Sequence, residues 1–341
     1  MRYGLGWRAE LGAGILANLD RVDVVEVLAE ELFHATRAQQ RALRFLRSHV
    51  PIVLHATSLG LASTEPVDPR RLDAIARVID WLEPELWSEH LAFVRAGGRE
   101  VGHLAAPPRN DATLEGLSRN VAMAAQITGS RPCLENVASL IEPPLSTYGE
   151  ASWLQAVIGE TGCELLLDLH NLYANAHNFG FDAFETLRSL PAPRLVHLAG
   201  GRRIEGDRVL DDHLHAVPSA VYELLACVRG EPTVILERDG NYPAISELLL
   251  ELDQARRVVA RPPLRGADWA ASPPVRAVAG ATALQTFLAT LYTDAAARAR
   301  YLADPEQMTR EANLPRDVAR IDPEELQLAA RSFEKKRSLH H

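Results

Sequence analysis

The chain has 341 residues, of which 47% are hydrophobic and 24% charged, the balance of a globular protein with room for one large barrel or two ordinary domains. Its formal net charge of −9 argues against a broad basic surface for nucleic acid or anionic lipid. Cys133, Cys163 and Cys227 share no CxxC spacing, which leaves neither a thiolate zinc motif nor a disulfide framework and points to a reducing compartment.

Eight strand-like runs follow one another along the chain. They are Tyr3–Arg8, Asp23–Leu28, Pro51–His55, Leu86–His90, Pro132–Asn136, Glu164–His170, Arg194–Leu198 and Thr233–Arg238. Amphipathic, helix-period segments separate most of them: Ala38–His49, Arg70–Leu82, Leu114–Thr128, Trp153–Thr161 and Ser219–Val228. Strands alternating with helices predict a parallel sheet, and eight such repeats have the size of a TIM-type (β/α)8 barrel. A doubly wound open sheet is the alternative, but no glycine-rich dinucleotide fingerprint follows the first strand.

After a last helical segment, Glu247–Ala260, the texture changes. Residues 261–278 hold Pro262, Pro263, Pro273 and Pro274 with no strong periodicity, which reads as a linker. Beyond it, 279–337 forms a small helical appendage. Ala281–Tyr301 is expected as one helix with Leu284, Phe287, Leu288 and Leu291 on one face. Asp304-Pro305 and Asp322-Pro323 each read as an N-cap followed by proline in the first helical position. Residues 338–341 look like an expression-tag remnant. No charged-then-apolar leader opens the chain and no apolar run approaches the ~18 residues of a membrane span, so no membrane contact and a cytoplasmic location are expected.

In barrels of this kind the chemistry collects where the strands end. Those ends carry His55, then Glu89 and His90, then Glu135 and Asn136, then Asp168 and His170, then His197, then Glu237, Arg238 and Asp239. The loop after the seventh strand adds Asp211, His213 and His215. His34, His49, His103 and His177 read as ordinary histidines. Alternation along the strand turns Glu89 to the face opposite His90, as an ion-pair partner. The joint pattern is what matters: acids and imidazoles gathered in a core are prohibitive unless cations are shared among them.

His55, His90, Glu135, Asp168, His170, His197, Asp211, His213 and Glu237 are therefore the candidate metal ligands. At about three protein ligands per open catalytic site they support two or three metals, with Glu135 and Asp168 central enough to bridge. A set of imidazole and carboxylate without thiolate suits iron, manganese or zinc. Asp239, Arg238 and Asn241 past the eighth strand, and Tyr173, Asn175 and Asn178 past the sixth, are candidates for substrate positioning or for supporting the ligands.

The fragments LHATSLG, SEHLAF, LENVAS, LDLHNLYANAHNFGFD, VHLAGG, LDDHLHAVP and ILERDGNYP, in that order over about residues 1–260, resemble the DUF692 family, the multinuclear non-haem iron-dependent oxidases. The resemblance implies a TIM-type barrel holding two or three irons in mixed Fe(II)/Fe(III) states. Such an enzyme uses O2 as co-substrate to oxidise a residue, Cys first and Asp or Asn otherwise, of a ribosomally synthesised precursor peptide. By motif, His55, His90 and Glu135 would hold one iron, Asp168, His197 and Glu237 the central one, and Asp211 and His213 a third. Two rivals stand beside this reading. One is a metal-dependent hydrolase or isomerase on an endonuclease-IV-like or xylose-isomerase-like barrel; the other is a metal-binding scaffold subunit without catalysis. The helical appendage could grip a precursor's leader, stand in for a leader-binding partner protein, or plug the bottom of the barrel.

Overall fold

The structure, a computed structural model, describes residues 1–260 and 281–339. Eight parallel strands close into a barrel: β1 (Arg2–Gly6), β2 (Val24–Leu28), β3 (Ile52–Ala56), β4 (Leu86–His90), β7 (Cys133–Glu135), β8 (Glu164–Asp168), β9 (Leu195–Leu198) and β12 (Thr233–Leu236), with β12 pairing back onto β1. The remaining four strands form two antiparallel hairpins. One is β5 (Phe93–Ala96) with β6 (Arg99–Ala105), just after β4; the other is β10 (Arg202–Ile204) with β11 (Arg208–Leu210), just after β9. Both rise from the C-terminal ends of barrel strands. Sequence periodicity missed them because the strands are short, mix charged with apolar residues and turn at Gly97, Gly98 and Gly206.

Helices fill the crossovers: α1 (Ala9–Leu16), α2 (Arg37–Arg47), α3 (Pro69–Leu82), α4 (Asp111–Thr128), α5 (Glu150–Thr161), α6 (Leu169–Phe179), α7 (Ala183–Ser189), α8 (Ser219–Leu225) and α9 (Ile245–Val259). Local chemistry sets their ends. Asp68 caps α3 through a 2.9 Å bond from Arg70 N, with Pro69 in the first turn, and Asn110 caps α4 through Thr113 N. The sixth strand is shorter than expected. It stops at Asp168, whose Oδ1 accepts Asn171 N at 2.6 Å and starts α6, so His170, Tyr173, Asn175 and His177 lie on a helix.

Inside the barrel, Val24, Val53, Cys133, Leu166, Leu195 and Ile235 form a dry apolar floor. Since alternate residues of a strand face the same side, the next inward position on each is two residues along. Those positions are Glu26, His55, Glu135, Asp168, His197 and Glu237, every one of them titratable and buried. Six apolar residues close the bottom of the barrel, and six acids and imidazoles stand directly above them.

The C-terminal helices are α10 (Ala281–Thr293), α11 (Ala295–Ala303), α12 (Pro305–Glu311) and α13 (Pro323–Leu339). The single helix expected over 281–301 is broken at Asp294, whose side chain leaves α10 to cap α11 through Ala296 N and Ala297 N, both at 3.0 Å. Asp304 and Asp322 cap α12 and α13 as their sequence predicts. This unit does not plug the barrel's bottom. Leu284, Phe287, Leu288 and Leu291 share one buried cluster with Phe93, Val101 and Ala105 of the first hairpin and with Leu140 and Ile141 of the loop after β7. The helices thus stand on the mouth side. The expected linker at 261–278, the start of the appendage at 279, and His340 and His341 lie outside the described residues.

Candidate metal centre

Among the described residues, three groups of side chains offer donor atoms within 4.8 Å of one another: His55, His90 and Glu135; Glu135, Asp168, His197 and Glu237; and His213, Glu237 and Asp239. Glu135 belongs to the first two groups and Glu237 to the last two, so the groups form a chain linked by carboxylates. Around Glu135, Nε2 of His55 is 3.5 Å and Nε2 of His90 3.2 Å from Oε2, while Nδ1 of His197 is 3.2 Å from Oε1. Nδ1 of His197 is also 3.1 Å from Glu237 Oε2, and His213 Nδ1 is 3.2 Å from that same oxygen.

His197 Nδ1 and Glu135 Oε1 share a hydrogen bond, but other donor atoms of the cluster are left over. Glu135 Oε2, Asp168 Oδ2 and His213 Nε2 are buried and have no hydrogen-bond partner. Two ligand atoms each ~2.1 Å from one ion stand about 3.0–3.4 Å apart, the spacing seen here. The donor set therefore fits divalent or trivalent metal ions, and nitrogen and oxygen donors without sulfur fit iron, manganese or zinc.

Of the nitrogens turned away from the cluster, that of His55 is anchored by a hydrogen bond and that of His90 has no hydrogen-bond partner. His55 Nδ1 lies 2.8 Å from Ser88 Oγ, and His90 Nδ1 lies 3.5 Å from Glu89 Oε1. Glu89 faces away from the cluster, where it also accepts Leu59 N and His90 N. His213 sits at φ 55°, in the left-handed region, and its carbonyl is held by Asp239 N at 2.9 Å. A non-glycine residue there costs about 1–3 kcal/mol, a strain typical of functional loops.

The remaining candidates are placed as follows. Asp211 lies outside the three groups but touches two imidazoles, His170 Nδ1 at 2.7 Å and His213 Nε2 at 3.1 Å. His170 is engaged by that bond and is not gathered with the donors. Asp239 joins the third group, and Arg8 clamps its carboxylate. Tyr173 meets the His170 ring at a tilt of 53°, with centroids 5.9 Å apart. Arg238 turns outward to Glu251 of α9 at 2.9 Å. Asn175 braces the loop after β7, donating to Val137 O and accepting from Ser139 N, both at 2.9 Å. Asn178 likewise bonds Val209 of the second hairpin. Arg238 and Asn175 thus act, where they act, through the scaffold.

Sequence reasoning missed Glu26 and Arg8. Glu26 is in the middle of β2, away from the strand ends where the other donors stand; the signal was its two-residue offset from Val24. Arg8, buried beside Glu237 at 3.9 Å, follows β1 and is charged, a feature strand propensity does not ask for.

Electrostatics reflect a site built for cations. Burial and then His90 disfavour the charged form of His55, whose pKa falls to about 3. Burial opposes His90 as well, but Glu135 and Glu89 overcome it and the value rises to about 9. Burial pushes Asp168 up to about 7, only partly offset by His213, and pushes Glu26 up to about 7, partly offset by His197. Against the same burial, His197 and His213 hold Glu237, and His213 and His170 hold Asp211, well below the usual carboxylate range. In the metal-free protein, protons do the work that cations would do.

Comparison with known proteins then decides the family. The family of RiPP precursor modification enzymes MbnB/TglH/ChrH, acting on ribosomally made peptides, matches residues 2–260. This chain belongs to that family. A UPF0276 protein of Streptomyces avermitilis is 36% identical over 269 residues, covering 75% of this chain and 54% of its own length. The chain thus spans about half of that relative. A UPF0276 protein of Anaeromyxobacter sp. (strain Fw109-5) is 34% identical over 263 residues, 76% of this chain and 93% of its own. Among solved structures, a D-tagatose 3-epimerase-like protein superposes with a TM-score of 0.52 at 16% identity, covering 76% of this chain and 98% of its own, which shows a shared barrel fold. The RiPP-modifying family match ends at residue 260, so the helical unit is additional to it. Among the described residues, no helix is long and apolar enough to cross a membrane.

Proposed function

We propose that this member of the family is an O2-dependent oxidase. It would hold two or three irons at the barrel mouth and oxidise one residue, Cys first or Asp or Asn, of a precursor peptide in the cytoplasm. One observation carries the reading: imidazole and carboxylate donors are gathered in three groups linked by Glu135 and Glu237, the first two groups wholly buried, with Glu135 Oε2, Asp168 Oδ2 and His213 Nε2 left without a hydrogen bond. The family match supplies the peptide.

His55, His90 and Glu135 would hold the first ion, and Glu135, Asp168, His197 and Glu237 the second. His213, Glu237 and Asp239, with Asp211 on the far side of the His213 ring, would hold a third. When bound, the irons supply O2 reduction and Lewis-acid charge for a substrate anion. The protein's own part is geometry. Ser88 keeps His55 Nε2 turned to the cluster, the apolar floor excludes water from below, and Arg8 holds Asp239 against the His213 ring. The two hairpins and the helical unit border the mouth, so a peptide would lie along them. We take 1–260 as the catalytic barrel and 279–337 as its peptide-recognition unit, in place of a separate partner protein.

The test is anaerobic Fe(II) loading of the whole chain, incubation with the short peptide encoded beside it, and mass spectrometry with and without O2. An O2-dependent mass change on one residue is expected. Activity with zinc or manganese and no O2 uptake would favour the hydrolase or isomerase, and metal uptake without any mass change would favour the scaffold.

A further inference from the structure

We propose that Glu26 is a positioning residue for His197, holding its Nε2–H so that Nδ1 is the nitrogen offered to metal. The inference rests on the metal reading above and goes beyond it, since Glu26 is outside all three donor groups. His197 is fully buried on β9, and its two nitrogens point opposite ways. Nδ1 is 3.1 Å from Glu237 and 3.2 Å from Glu135; Nε2 is 2.9 Å from Glu26 Oε2 on β2. A neutral imidazole carries one proton, and whichever nitrogen holds it cannot ligate. A carboxylate on Nε2 claims that proton, leaves the lone pair on Nδ1, and raises the basicity of the ligand.

Nothing else in the fold asks for an acid at this place. Glu26 is wholly buried in a core strand, its Oε1 has no hydrogen-bond partner, and its neighbours along β2 are valines. An apolar residue would pack there without the cost of burying a carboxylate. Ser88 stands to His55 as Glu26 stands to His197, a side chain from the barrel interior that grips the nitrogen facing away from the cluster. The carboxylate version adds charge, so this imidazole is the more electron-rich of the two.

The test compares wild type, Glu26→Gln and Glu26→Ala as full-length chains. Anaerobic Fe(II) titration against a competing chelator and Mössbauer spectra of the loaded proteins are the readouts, with melting of the metal-free forms as a folding control. Gln keeps the shape and an acceptor oxygen, so it keeps the fold measurable if Ala does not. For Ala, one iron should bind about 10- to 100-fold more weakly while the others are unchanged, with full stoichiometry recovered at saturating iron. Gln should fall between Ala and wild type, and in both the spectrum of one iron should shift. Unchanged affinity and spectra in both variants overturn the inference, leaving the metal reading intact. Loss of one whole iron even at saturation also overturns it, by making Glu26 a ligand. A wild-type chain that takes up no iron removes the metal reading and this inference together.

Discussion

Filling this centre must expel protons, and the pH dependence follows from the site. His90 rises to about 9 in the metal-free protein, so at pH 7 its ligand nitrogen is protonated by a margin of two pH units. At about 1.4 kcal/mol per unit this is ~2.7 kcal/mol, or about 100-fold in apparent affinity at the His55–His90–Glu135 group. His55, whose value falls to about 3, is already neutral and costs nothing. Affinity at this group should therefore gain about tenfold per pH unit between 7 and 9. The central group behaves differently below pH 7, where Asp168, at about 7, must also lose a proton and steepens the slope. The folding sign is opposite. His90 is raised from an ordinary 6.5, so it stabilises the metal-free fold below that pH, by on the order of 3 kcal/mol, and this is lost as pH rises through 9. Metal-free protein should thus melt lower at pH 9 than at pH 7, while loaded protein gains. The assay is competition with a chelator of known protonation, using Zn(II) as a redox-inert probe, with calorimetry in two buffers to count protons released. An affinity flat between pH 7 and 9, or no proton release at pH 7, would refute the reasoning.

Glu135→Gln keeps the shape of the shared carboxylate and removes its charge from two groups at once; metal content should fall by at least one ion per chain, and elemental analysis showing a full complement would rule out bridging. Gln285, fully buried on α10, donates to Ala62 O at 3.0 Å and accepts Thr64 N at 2.9 Å, so Gln285→Ala should cost about 1–3 kcal/mol and expose the C-terminal helices to protease. A Cβ on Gly201 would lie 2.1 Å from Leu210 O and 2.5 Å from His170 Cε1. Gly201→Ala should lower the melting free energy by about 1–3 kcal/mol, and an unchanged melt would mean the second hairpin adjusts freely.

The barrel was legible in the sequence because parallel, doubly buried strands are short apolar runs, and VVEVL, PIVLH and ELLLD stand out as such. The donors were legible for the converse reason: His55, Glu135 and His197 break those runs with residues a core does not tolerate. What lay hidden shares a cause. The hairpins, the break at Asp294 and the helical start at Leu169 are decided by side-chain capping and by packing against distant segments, which no local period encodes. Asp239 and Asp211 illustrate this most clearly. Both carboxylates lie two residues from another donor, and only the positive φ of His213 and the clamp of Arg8 on Asp239 decide which faces which nitrogen.

The rim of the mouth and the helical unit are best understood as one piece. A two-stranded hairpin is marginal alone in water, and a helical module of about 60 residues seldom stabilises itself. Here each supplies the apolar face the other lacks: Phe93, Val101 and Ala105 complete the cluster of Leu284, Phe287 and Leu288, while Arg208 of the second hairpin pairs with Glu325 of α13. Burying Phe93, Val101, Leu140 and Ile141 is worth ~1.5–3 kcal/mol each, so the interface contributes a large share of a typical domain's total stability. Removing residues 281–339 would unmake the rim together with any peptide-binding surface, and lost activity in that truncation would say little. Surface charge reversals on α13 that leave the shared core whole, such as Glu324→Lys or Lys336→Glu, separate the two roles. They should weaken peptide processing through KM with kcat and melting unchanged if the unit recognises the peptide, and change nothing if it only buttresses the mouth.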